Sequence, residues 1–311
     1  MTKGPWLKKI LIFSLPLMLT GLLQMVYNTA DIVVVGRFAS PTSLAAVGAT
    51  SSLIHLILNI FWGMAMGSGV MSARYIGAED NNRLSKSVHT AMLLSIVCGI
   101  AVGFFGIFMA EKLLILMDTP LDVLPLARIY LQIYFMGAPA SLVYNFGAAI
   151  VRSTGDTQRP LYILTGTGLV NIALNLVLVI KFNLDVAGVA IATITAQYIS
   201  AALIVIRLLK IDGACKLHLK KLRFHKDELK KILIIGVPAG VQNSLFSLSN
   251  VIIQTTVNSF GSVAMSGISA SSNIDAVIYT CTNAISQTTM TFTICIVCSF
   301  AYFRLVNLFQ R

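Results

Sequence analysis

Apolar residues gather into eight long runs, near residues 10–36, 50–73, 88–110, 128–151, 161–181, 186–208, 231–257 and 272–303, separated by short polar connections. About 20 residues at roughly 1.5 Å each cross the roughly 30 Å hydrocarbon core of a bilayer as a helix, so each run is long enough to span. The pattern predicts an all-α integral membrane protein. The last run exceeds one ordinary span. The first is longer than the roughly 7–15-residue core of a secretory signal and lacks a small-residue cleavage site, so it is expected to stay in the chain.

The polar residues inside these runs carry the next step. Thr20, Gln24, Asn28 and Asp31 follow one another at steps of four, four and three residues, which predicts one helix face turned toward protein or a water-filled cavity. A carboxylate inside a span costs at least about 2.5–3.5 kcal/mol on insertion scales, so Asp31 is read as a working part. A helix-end aspartate reaching the headgroups is the plainer alternative. Near the start of the last run Asp275 follows Asn273 and several serines, which places it at an interfacial helix start in preference to a cation site.

The chain also repeats itself. Lys8-Lys9-Ile10-Leu11-Ile12-Phe13-Ser14-Leu15-Pro16 returns as Lys230-Lys231-Ile232-Leu233-Ile234-Ile235-Gly236-Val237-Pro238, and the same spacing pairs Asn28 with Asn250 and Phe38 with Phe260. Six runs lie between the copies. Both copies therefore enter from the same side, which predicts a parallel repeat about an axis along the membrane normal. The predicted organisation is a complete six-helix lobe over residues 1–209, a basic linker over 210–229, and the first two helices of a second lobe over 230–311. From about residue 294 the tail has no counterpart in the first copy, as expected of a truncated product.

Composition agrees with the runs. Of 311 residues, 56% are hydrophobic and 11% charged, with a mean hydropathy of +0.82, against about 25% charged in a soluble globule. The net charge of +11 collects in alternate loops: Lys3, Lys8 and Lys9, then Arg74, Arg83 and Lys86, then Arg152 and Arg159. This positive-inside pattern predicts a cytoplasmic N-terminus and disfavours nucleic acid as a partner. The densest basic stretch, Arg207 to Lys231, interleaves its cations with Leu217, Leu219, Leu222 and Phe224; anionic headgroups suit it better than nucleic acid.

Smaller motifs add little chemistry. Gly63/Gly67 and Gly99/Gly103 have the spacing that lets helices approach closely. Cys295-x-x-Cys298 has neither a histidine nearby nor a second pair, so no metal site is expected, and all five cysteines read as free thiols. No zinc-protease, nucleophile-elbow or phosphate-loop motif is present, which leaves an enzyme without support.

Several stretches resemble the multidrug and toxic compound extrusion (MATE) family. They are Pro16 with Gln24 and Asp31 downstream, Arg74-Tyr75-Ile76-Gly77-Ala78, the run Ala149-Ile150-Val151-Arg152-Ser153-Thr154-Gly155-Asp156-Thr157-Gln158-Arg159-Pro160, and Pro238 onward. The resemblance covers about residues 5 to 293 and implies two six-helix lobes enclosing a central cavity. It further implies a secondary transporter of the cell membrane that exports organic cations and other amphipathic molecules by antiport with protons or sodium, with no cofactor besides that ion.

By the same resemblance, Asp31 matches the cation-coupling aspartate of the amino-terminal lobe. Asn171 and Asn175 match polar positions on the fifth helix, Thr167 extends their stripe, and Thr193 is the nearest match to a threonine ligand on the sixth. Several relatives have an acid where Asn175 stands, so proton coupling through Asp31 is favoured over sodium, although carboxylate, amide and hydroxyl oxygens suit a hard cation. Helix seven offers no acid, only the neutral stripe Asn243, Ser247, Asn250 and Gln254; Asn250, Gln254 and Asp275 are the second-lobe candidates. A non-transporting fragment is the alternative function, and a lipid-linked precursor flippase, which would need a strongly cationic cavity, ranks below export.

Overall fold

The computed structural model describes residues 6–38, 40–117, 119–258 and 262–309. The described helices are α1 Trp6–Phe38, α2 Pro41–Gly77, α3 Asn81–Leu116, α4 Leu124–Met136, α5 Ala138–Ser153, α6 Gln158–Leu176, α7 Asp185–Lys210, α8 Lys226–Asn258 and α9 Ser262–Phe309. The all-α class is as the apolar runs predict. Six of these helices are long and apolar enough to cross a membrane, or seven with α4 and α5 counted as one bent span.

That bend is a departure from the single span expected over 128–151. The two halves meet at 46°, around Gly137 and Pro139. Proline has no N–H to return to the carbonyl of Phe135, and its ring crowds the preceding turn; with Gly137 just before it the helix breaks here, whereas α1 and α8 run on through Pro16 and Pro238. The bend serves packing: a methyl group on Gly103 would come within 3.1 Å of the Phe135 carbonyl oxygen, so α3 lies directly on the bend.

Helices α2 and α9 start well before their apolar runs, at Pro41 and Ser262. Ser40 caps α2, accepting from the Ser43 N–H at 3.1 Å, with Pro41 in the first turn, the residue types a helix start favours. The hydroxyls that follow then serve their own helix: Thr50 donates to the Ala46 carbonyl at 2.9 Å and Ser51 to that of Val47 at 2.7 Å. A run of small polar residues can therefore be helical without being apolar. The same holds at α9, which begins at Ser262. Asp275 thus lies more than three turns inside the helix, exposed, and its reading as a helix-start residue is corrected.

Under a parallel repeat, α1 corresponds to α8 and α2 to α9, and the seam between the copies obeys that exchange. α1 packs on α9, with Phe13 edge-on to Phe292 at 5.3 Å and Thr280 against Gly21. α2 packs on α8 through glycines on both sides: a methyl on Gly67 would meet the Ile232 carbonyl at 2.7 Å and Gly236 at 2.9 Å, and Gly63 lies directly on Gly240. Backbones approach this closely only where neither helix carries a side chain. Between α7 and α8 the linker folds back onto the lobe, with Ile211, Cys215 and Leu217 buried.

Candidate functional site

The site begins one turn before its carboxylate. The ring of Tyr27 on α1 lies flush against Gly168 of α6, where any side chain would collide with it, and the Tyr27 hydroxyl donates to the Thr165 carbonyl at 3.3 Å. This contact sets the register of α1 against α6. One turn further along α1 and about two along α6, Asp31 meets Asn175: the Asn175 Nδ2 donates to Asp31 Oδ1. From α7, the Thr193 hydroxyl lies 3.4 Å from Asp31 Oδ2 and 3.0 Å from the Val189 carbonyl. Asn171 closes the ring, donating to Thr193 Oγ1 and accepting from Asn175 Nδ2, each at 3.4 Å.

Helix α6 changes shape immediately beyond. Its α-helical course ends at Leu176 and residues Val177–Lys181 continue in a wider π-helical turn, a feature frequent at functional positions. Asn175 is fully buried, Asn171 and Asp31 are buried, and the Asn175 Oδ1 is buried without a hydrogen-bond partner. Among the described residues no basic side chain forms an ion pair with Asp31. The chemistry is that of a carboxylate held by one amide N–H and a shared hydroxyl, although a carboxylate can accept about four hydrogen bonds.

The other candidates scatter. Thr167 is buried but sits two turns before Asn175, where its hydroxyl accepts from Ser200 at 2.8 Å and ties α6 to α7. Thr20 is buried and bonds the Pro16 carbonyl at 2.7 Å, while Gln24 and Asn28 are exposed, against the expectation of one inward stripe. For Asn28 the reason is angular. Eleven residues are close to three turns, so Asp31 returns to within about 20° of Thr20, whereas Asn28 lies about 80° round the helix; the exposure of Gln24, about 20° from Asp31, has no such angular explanation. In the second copy, Ser247 on α8 accepts from Asn59 on α2 of the first copy at 3.0 Å; the side chains of Asn250 and Gln254 lie outside the described residues.

Sequence reasoning missed a second buried acid. Glu228, in the first turn of α8, is 4% exposed; Tyr75 of α2 donates to its Oε2 at 2.5 Å, and Lys231 Nζ donates both to its Oε1 and to the Tyr75 hydroxyl at 3.0 Å. The ammonium also lies 5.6 Å from the Tyr75 ring centre. This cluster fastens the α2–α8 seam at one end. The only hint in the sequence is the i, i+3 spacing of Glu228 and Lys231.

The family model described as MatE matches residues 16–177, more than half of the chain and the whole stretch from Pro16 to the turn after Asn175. The chain belongs to the MATE family. Among curated MATE relatives, it is 28% identical over 281 residues to the probable multidrug resistance protein YpnP of Bacillus subtilis, covering 89% of this chain and 62% of that one. It is 25% identical over 268 residues to the multidrug export protein MepA of Staphylococcus aureus strain MRSA252, covering 85% of this chain and 58% of the relative. A MOP superfamily transporter from Pyrococcus furiosus superposes with a TM-score of 0.87 at 23% identity, over 94% of this chain and 65% of that structure. The chain thus has the fold of a MATE transporter, a multi-pass membrane protein, and spans less than two thirds of the length of these relatives.

Proposed function

We propose that this chain carries the ion-coupling half of an exporter of the cell membrane, which moves amphipathic organic cations out of the cell in exchange for protons. The observation that carries this reading is the neutral company of Asp31. A charge taken out of water is costly unless paired, and here it has an amide and a hydroxyl for partners. A proton on Asp31 removes the charge. It also creates an O–H donor for the orphaned Asn175 Oδ1 once that amide turns over, since amide orientation follows the hydrogen-bond network.

Protonation therefore rearranges the contacts joining α1, α6 and α7. A ligand shifts a two-state equilibrium by its differential affinity for the two states; a proton that prefers one arrangement of α1 and a drug that prefers the other are exchanged. The names of the relatives, multidrug resistance and multidrug export proteins, support the drug side of that reaction. Sodium is the alternative ion: Asp31, Asn175 Oδ1 and Thr193 Oγ1 offer it oxygen ligands of the right hardness.

The test is exchange in proteoliposomes. Drug addition is expected to drive proton movement with the native chain, without any need for a sodium gradient, and Asp31→Asn is expected to abolish it while inserting normally. Undiminished exchange in that variant refutes the assignment; exchange that requires sodium transfers it to the second ion.

A further inference from the structure

The linker between α7 and α8 is held in place by backbone groups. The Leu217 N–H donates to the Leu208 carbonyl at 3.0 Å, the His218 N–H to His89 Nε2 at 3.0 Å, and the His225 N–H to the Thr90 hydroxyl at 3.2 Å. His89, buried, places its Nδ1 2.7 Å from the Ser85 carbonyl. Nδ1 thus bears the proton and Nε2 accepts, so both ring nitrogens are used in holding the linker to α3.

So folded, the linker turns its cations toward the first turns of α3. Lys220, Lys221 and Arg223 from one side and Asn82, Ser85 and Lys86 from the other enclose a cavity of about 480 Å3. None of its lining residues is acidic, and none of its four lysine and arginine residues forms an ion pair among the described residues. Four like charges on one hollow repel one another unless an anion joins them. Serine and asparagine beside them supply the uncharged hydrogen bonds that phosphate oxygens take.

We propose that this cavity holds the phosphate of an anionic phospholipid headgroup. Its position selects lipid over a soluble anion: α3 begins at Asn81, four residues after α2 ends at Gly77, so the cavity lies where these helices leave and re-enter the bilayer. Leu219 and Phe224, 58% and 38% exposed, bracket the cationic stretch. A free phosphate has no use for them, whereas the glycerol and upper acyl chains of a lipid bury them. A bound headgroup ties the linker, and through it the start of α8, to the membrane surface beside α3.

Native mass spectrometry of the purified full chain in neutral detergent reads this directly, with dioleoylphosphatidylglycerol, dioleoylphosphatidylcholine and inorganic phosphate as separate probes. Phosphatidylglycerol is expected to bind, with competition by rising salt, and its affinity to fall at least about tenfold in the Lys220→Gln/Lys221→Gln/Arg223→Gln chain, since each basic residue at an anionic surface contributes about a fivefold preference. These three side chains are exposed, so the fold is retained, and Lys112→Gln, exposed on the same helix α3 but at its far end, is expected to bind as the native chain does. Equal binding of phosphatidylcholine, equal binding by the triple variant, or displacement of the lipid by millimolar phosphate alone overturns the proposal; the last would make the cavity a site for soluble anions.

Discussion

Two acids are buried among the described residues, Asp31 at 8% exposure and Glu228 at 4%, and their surroundings are opposite. Glu228 has a lysine ammonium and a phenol within hydrogen-bond reach. Its charge is answered within the fold, across the α2–α8 seam. Asp31 has no ionic partner and too few donors. The first holds two helices together through an ion pair; the second is the one that the proposed function makes a cation acceptor. Burial is common to both acids; the neutral partners belong to Asp31 alone of the two.

The contrast breaks most visibly at Lys231. Replacing it with Met leaves the buried Glu228 carboxylate with Tyr75 alone, and thermal unfolding of the purified chain is expected to show a loss of about 2 kcal/mol, less than for a fully buried pair because the Lys231 side chain is 33% exposed. The neutral pair Glu228→Gln/Lys231→Met is expected to recover most of that loss. Similar in size is Gly168→Ala. Its methyl enters the Tyr27 ring, which is expected to cost about 2 kcal/mol by overpacking and to weaken drug-driven proton movement by displacing Asp31 from Asn175.

Removing a neutral partner should matter less to the fold. Asn175→Ala is expected to cost about 1 kcal/mol, because Asp31 can shed its charge by taking a proton, and to shift the pH at which exchange is half-maximal. The smallest effect concerns the linker. Burial pushes the Cys215 thiol up to about 11 from 9.0, so the folded linker favours the neutral form. Its contribution is complete below pH 9 and declines as pH rises through 11. Denaturation at pH 8 and pH 10.5 is expected to show a larger fall in the native chain than in Cys215→Ala.

How much of this was legible in the sequence follows from where each signal sits. Asp31 could be found because a carboxylate in an apolar run is costly wherever the rest of the chain goes. Asn171, Asn175 and Thr193 were named only through the resemblance to the MATE family; amides and hydroxyls in a membrane helix have too many uses for their spacing to identify a site. Glu228 was illegible for the converse reason. It stands in Lys226-Asp227-Glu228-Leu229-Lys230-Lys231, which reads as a solvated helix start, and its burial depends on Tyr75, distant in the chain. The bend at Gly137-Ala138-Pro139 was written in the chain but overridden by the continuous hydropathy around it. The early starts of α2 and α9 were hidden because hydropathy marks where a helix meets lipid, not where it begins.

Infrared difference spectroscopy of the purified chain between about pH 6 and about pH 9, a window in which ordinary exposed carboxylates stay ionised, tests the contrast between the two acids most directly, by the carbonyl stretch of a protonated carboxyl. The band is expected in the native chain and in Glu228→Gln, and absent in Asp31→Asn. A band that survives Asp31→Asn and vanishes in Glu228→Gln would contradict the assignment of the titrating group.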